Sequence, residues 1–120
     1  MKELNLKTGR LGEDIAKEYL EDKGYKIIDQ NYKTKYAEID IIAERKNVLI
    51  FVEVRTKTGE QFGTPEDTLT KAKLAKIKRN AIAYSSAKRW EGPCRIDAVC
   101  VVLNPDKTVL RLSHYENITM

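Results

Sequence analysis

The stretch AEIDIIAERKNVLIFVEVRTK, residues 37–57, constrains the fold more than any other part of the chain. Two apolar runs flank a short polar turn, the pattern of two β-strands joined as a hairpin. Charges interrupt both runs: Glu38 and Asp40 in the first, Glu53 and Arg55 in the second. A charge on a strand that is otherwise buried is costly. A two-residue turn at Lys46–Asn47 pairs Arg45 with Val48 and sets the register. Asp40 then falls opposite Glu53, and Glu38 opposite Arg55. Opposed side chains share a face, with Cβ atoms ~4.5–5.5 Å apart, so the four charges form one patch. Ile39, Ile41, Ala43, Ile50, Val52 and Val54 point the other way, to the expected core.

The Glu38–Arg55 pair reads as an ion pair. Two opposed carboxylates repel, and Asp40 with Glu53 asks for something positive between them. Mg²⁺ (or Mn²⁺) takes oxygen ligands, commonly one or two carboxylates plus waters and substrate phosphate. A solvated sheet face of mixed charge would carry the same residues. The two readings separate on register, because a slip of one residue would put the acids on opposite faces.

Residues 8–23 read as a first helix, with Leu11, Ile15, Ala16, Tyr19 and Leu20 at helical spacing and Gly24 as its stop. A strand over about 25–33 follows, then the hairpin and a loop, TGEQFG. Residues 64–90 read as one long helix, with Thr64 as N-cap, Pro65 at the first position and Asp67 completing a capping box. RIDAVCVVL, NPDKT and VLRLSHYENI read as strand, turn and strand. The element order is αβββαββ, an α/β fold with a mixed sheet flanked by helices, in one domain spanning 1–120.

Two further charged residues fall near the patch. Glu13 lies at the edge of the first helix's apolar stripe, where it either leans toward the sheet or serves as a first-turn acid. Lys73 falls inside the apolar stripe of the long helix and either snorkels to its edge or reaches the charged patch. The formal net charge is +4, a balance that suits a polyanionic partner. Lys71, Lys73, Lys76, Lys78, Arg79, Lys88 and Arg89 make the long helix basic. Cys94 and Cys100 are not spaced as a zinc site and read as small apolar residues of a reduced, cytoplasmic protein. His114 reads as a surface residue and Trp90 as packing at a helix end. The first residues have no apolar signal-peptide core, and no window approaches the ~20 apolar residues of a membrane helix.

AEIDIIA followed by FVEVRTK is an acid in one strand, then Glu-x-Arg in the next, behind a helix carrying Glu. The pattern is similar to that of the PD-(D/E)xK nuclease superfamily. With GRLGEDIAKEYLEDKGYKII (9–28), FGTPEDTLTKAKLAKI (62–77) and RIDAVCVV (95–102), nearly the whole chain resembles the YraN family of small bacterial proteins, which look like Holliday-junction resolvases and restriction endonucleases in fold. The resemblance implies a restriction-endonuclease-like core. It makes Glu13 the helix acid and Asp40 and Glu53 the metal ligands, with the Val54 carbonyl completing the coordination. Arg55 stands at the superfamily's lysine position, and Lys73 matches a lysine on the second helix. Ala37 replaces the usual glycine of the Gly-Glu-Ile-Asp block. Arg55 can stabilise phosphate charge but does not readily exchange a proton.

The expected activity is metal-dependent phosphodiester hydrolysis on nucleic acid, branched DNA in particular. Arg10, Lys73, Lys76 and Arg79 are the candidate backbone contacts. The alternative is a nucleic-acid-binding module with weak or no catalysis. A third reading is an interaction protein with a charged sheet face. Resolvase-like proteins often work as homodimers, but no residue pattern here specifies an interface.

Overall fold

The computed structural model describes residues 2–118, with the backbone alone for residues 2–6. Helix α1 (Lys2–Asp22) leads into strands β1 (Lys26–Lys33), β2 (Glu38–Arg45) and β3 (Val48–Thr58). A 3-10 helix (Pro65–Thr68), helix α2 (Lys71–Ala87), and strands β4 (Cys94–Leu103) and β5 (Val109–Tyr115) complete the chain. The sheet order is β1-β2-β3-β4-β5. All neighbours are antiparallel except β3 and β4, which run parallel across the crossover through α2. The expected mixed α/β sheet flanked by helices is observed. No helix is long and apolar enough to cross a membrane among the described residues.

The hairpin register is as expected, with Arg45 opposite Val48 and Ile41 opposite Val52. Lys46 and Asn47 both have positive φ, 52° and 66°, the combination a type I′ turn requires. Helix α1 starts earlier than expected, at Lys2 instead of near Thr8; Lys, Glu and Leu in the added turn are good helix formers. Its C-terminus closes at Gly24, φ 89°, with Tyr25 N–H donating to the Leu20 carbonyl at 2.9 Å.

The expected single helix over 64–90 is two helices. Thr64 and Asp67 do form a capping box, but it caps the 3-10 helix, which ends at Leu69 with ψ 80°. Thr70 then starts α2, its hydroxyl accepting from Lys73 N–H at 3.2 Å. Two threonine caps six residues apart favour two helix starts over one continuous helix.

Both sheet faces are core, against the expectation of one apolar and one charged face. Ala16 and Leu20 of α1 pack on Ile41, Ile50, Val52 and Val99. Ile77, Ala81 and Tyr84 of α2 pack on Ile39, Ile42, Leu49 and Phe51. Two covered faces explain why β3 and β4 read as nearly unbroken apolar runs. Ile39 and Ile41, expected on one face, belong to opposite cores. Strand β2 changes face between them, at Asp40, beside Asn31 of β1 with its positive φ of 50°.

Asn80, fully buried on α2, clamps the β1–β2 turn that leads to Glu38 and Asp40. Its side chain donates to the Ala37 carbonyl at 2.6 Å and accepts from the Thr34 hydroxyl at 2.5 Å. Asn80→Ala would leave buried polar groups without partners, at ~1–3 kcal/mol. A lowered urea midpoint with an unchanged slope is the expected result. His114 is not the expected surface residue. Its Nε2 meets the buried Asp97 carboxylate at 2.8 Å and its Nδ1 meets Tyr19 Oη at 3.0 Å. Arg95 Nε also donates to Asp97, at 3.0 Å. Cys94 is exposed and Cys100 is buried; neither is in a disulfide.

Candidate active site at the β2–β3 divergence

The β2–β3 ladder runs as far as Ile41 and Val52. Past that pair the Val54 N–H donates to Asp40 Oδ2 at 2.8 Å. The strands open there, and the Asp40 and Glu53 side chains lie between two clefts. One cleft, about 530 Å³, is lined by Glu13, Asp40, Glu53, Val54, Arg55 and Phe62 among others. The other, about 640 Å³, is lined by Tyr36, Glu38, Asp40, Glu53, Lys73 and Lys76 among others. Glu53 is only 5% exposed.

Burial raises the pKa of both Asp40 and Glu53, and the charge of Glu53 adds to the shift at Asp40. The carboxyls also share a hydrogen bond. Burial and repulsion together make the pair retain one proton where isolated carboxylates would hold none. Arg55 and Lys73 act against the shift at Glu53. Burial likewise raises the pKa of Glu13, against the lowering effect of its hydrogen bond from Asn31, with the nearby Asp40 and Glu38 adding to the rise.

Among the described residues no group of three or more His, Cys, Asp or Glu side chains is placed to hold a metal. The site offers two paired carboxylates, a donor set that fits Mg²⁺ or Mn²⁺ with waters or substrate oxygens filling the other positions. It does not fit a fully protein-caged ion such as structural zinc.

The expected Glu38–Arg55 ion pair is absent. Glu38 lies 3.8 Å from Lys33 Nζ and accepts from Asn31 Nδ2 at 2.8 Å. Arg55 Nη1 stands 3.8 Å from Glu53 Oε1, and its Nε donates to Thr68 Oγ1 at 2.6 Å. The divergence of the strands separates partners that a continued ladder would have opposed. Glu13 does lean toward the sheet, half-buried at the first cleft, with its Oε1 accepting from Asn31 Nδ2 at 2.7 Å. Lys73 is half-buried at the second cleft, and Lys76 lines the same cleft. Arg79 is exposed, its guanidinium 5.2 Å from the Tyr36 ring centroid. Arg10 is exposed on α1 and is not brought into either cleft.

Two positioning residues escaped the sequence reading. Asn31 ties Glu13 to Glu38; an asparagine within a β-rich run, tolerant of positive φ, was its only local signal. Thr68 orients Arg55, and its own hydroxyl donates to the Pro65 carbonyl at 2.6 Å. Nothing local distinguishes it from the other threonines of the segment.

The model of the Uncharacterised protein family UPF0102 matches residues 12–101. The chain belongs to the UPF0102 family. A UPF0102 protein of Caldanaerobacter subterraneus subsp. tengcongensis is 43% identical over 122 residues, covering 98% of each chain. One of Syntrophomonas wolfei subsp. wolfei is 35% identical over 115 residues, covering 95% of this chain and 98% of the relative. One of Sulfurihydrogenibium sp. is 41% identical over 110 residues, covering 91% and 90%. The span matched by the UPF0102 model contains Glu13, Asp40, Glu53, Arg55 and Lys73, and leaves Arg10 outside.

Proposed function

We propose that this UPF0102 protein is a divalent-cation-dependent phosphodiesterase of the PD-(D/E)xK type, acting on nucleic acid and on branched DNA in particular. The observation that carries the reading is the Asp40–Glu53 pair, Glu53 buried and Asp40 half-buried, held at the meeting of two clefts with Arg55 and Lys73 beside it. Two carboxyls held together away from water work against stability, and such costs are typical of functional sites.

Asp40 and Glu53 would hold the cation, with the Val54 carbonyl as a further oxygen. When bound, Mg²⁺ polarises a phosphodiester and makes a bound water more acidic. Arg55 and Lys73 supply fixed positive charge for the phosphate oxygens. A guanidinium donates hydrogen bonds and has no acceptor atom, so Arg55 is not a base for the attacking water. Glu13, with its raised pKa, is suited to take that proton. Asn31 holds the Glu13 carboxylate in place, and Thr68 fixes the direction of Arg55.

The test is cleavage of end-labelled branched DNA in Mg²⁺ or Mn²⁺. Wild-type protein should cut, and Asp40→Ala and Glu53→Ala should not. Thr68→Val keeps the shape of the side chain but removes the acceptor for Arg55. It is expected to lower kcat on the order of tenfold or more with little change in KM, because misplacement of a charged group falls mainly on the transition state.

A second reading is a nucleic-acid-binding module without catalysis. Arg55 in the lysine position, already bonded to Thr68, favours it. Salt-sensitive DNA binding that survives Glu53→Ala, with no cleavage in either metal, would select that reading.

A further inference from the structure

Each cleft beside the carboxylate pair has an exposed aromatic ring in its lining. Phe62 is 92% exposed at the first, and Tyr36 is 49% exposed at the second. A single exposed apolar side chain is ordinary. These two stand out by position. Among the described residues, three aromatics are exposed large hydrophobics; the two without a hydrogen-bonded carboxylate partner line these clefts, and the third, Tyr115, is bonded to Glu66 at 2.7 Å.

Neither ring is on a slack segment. Phe62 sits on the loop between Gly59 (φ 71°) and Gly63 (φ 112°), whose Glu60 is paired with Arg111 of β5 at 2.9 Å. Arg111 also grips Glu66 of the 3-10 helix through two hydrogen bonds, at 2.6 and 2.9 Å. The Arg111 hydrogen bond is the main reason Glu66 has its pKa lowered to about 2. The loop is therefore latched at both ends while its one aromatic points to solvent. Tyr36 lies in the β1–β2 turn that Asn80 clamps, and its ring is flanked by Lys35 Nζ and the Arg79 guanidinium, each 5.2 Å from the centroid. Cations interleaved with aromatic faces suit a strand whose bases stack while its phosphates pair with charge. A blunt duplex keeps its bases inside the stack and has no use for exposed rings.

We infer that Phe62 and Tyr36 are stacking platforms for unpaired bases on either side of the scissile phosphate, so that the substrate of this site is nucleic acid with single-stranded nucleotides next to the bond that is cut. This rests on the proposed nucleic-acid reading and names its substrate class. Phe62 and Tyr36 select the substrate and take no part in bond breaking.

The experiment is fluorescence anisotropy in EDTA at low salt, with three DNA probes: a 20-nucleotide single strand, a blunt duplex and a duplex with a single-stranded tail. Wild-type protein should bind the single strand and the tailed duplex more tightly than the blunt duplex. Phe62→Ala and Tyr36→Ala should each weaken the first two probes by roughly 5- to 100-fold, a loss in line with one base–aromatic stack. Their blunt-duplex affinity should stay within about twofold, and Phe62→Trp should restore binding. Phe62 is so exposed that its replacement leaves the fold intact. Equal wild-type affinity for all three probes, with Phe62→Ala and Tyr36→Ala changing none of them, would overturn the stacking role and leave the nucleic-acid reading standing. No salt-sensitive binding to any probe would overturn both.

Discussion

Gly12→Ala should destabilise the fold by about 3 kcal/mol, although alanine is the better helix former. On propensity alone the change would stabilise α1 by up to ~1 kcal/mol. Tertiary contact reverses the sign. A Cβ at Gly12 would overlap the Thr56 side chain of β3, including Thr56 Cβ itself, so rotating the hydroxyl away does not clear it. Helix α1 would have to lift off the sheet, an overpacking cost of ~1–3 kcal/mol or more. Gly9 is the control. A Cβ there meets nothing within 4 Å, and Gly9→Ala should stabilise by ~0.5–1 kcal/mol. Urea midpoints of the two variants should therefore move in opposite directions. Glu13 is the next residue after Gly12, so Gly12→Ala should also displace that carboxylate from the first cleft.

Asp40→Asn should raise the stability of the metal-free protein at neutral pH by roughly 1–3 kcal/mol. The asparagine carbonyl can still accept from Val54 N–H, and its amide can donate to Glu53, so the polar contacts survive and folding no longer carries the cost of keeping a proton on Asp40. The pH dependence has a definite sign. The folded-state pKa of Asp40 lies above its ordinary value of 3.8, so the folded protein holds that proton more tightly than the unfolded chain. Its stabilising contribution is complete below about pH 3.8 and is lost as pH rises through the folded value. Wild-type protein without metal should lose stability toward alkaline pH, and Asp40→Asn should flatten that slope. Saturating Mn²⁺ should offset most or all of that difference. At a hundred times Kd a bound ion adds ~2.7 kcal/mol to wild type, and little to the variant.

The central hairpin is legible because its turn signal is local. A two-residue turn leaves one register, and that register brings Asp40 and Glu53 to neighbouring positions just past the end of the ladder. Helical periodicity leaves Glu13 and Lys73 each with two readings, and the family resemblance is what points both to the patch. The Glu38–Arg55 pairing failed for a physical reason: the ladder stops at Ile41 and Val52, where the Asp40 carboxylate takes the Val54 N–H. A side chain replacing a backbone acceptor leaves no trace in a hydropathy pattern. The same holds for Asn80, Thr68 and His114, whose partners lie far away in the chain or in irregular segments. The break at Leu69 was missed because one good cap, Thr64, hid a second at Thr70. The second covered sheet face was written in the unbroken apolar runs of β3 and β4, but an alternating reading of the hairpin masked it.

The proposed activity requires Asp40 and Glu53 to share a divalent cation. The most direct measurement is anomalous diffraction from crystals of the protein soaked in Mn²⁺. One peak within bonding distance of both carboxylates, roughly 2.0–2.3 Å from an oxygen of each, and absent from Asp40→Asn crystals, is the predicted result. Two side chains that remain hydrogen-bonded to each other at saturating Mn²⁺, with no peak between them, would contradict it.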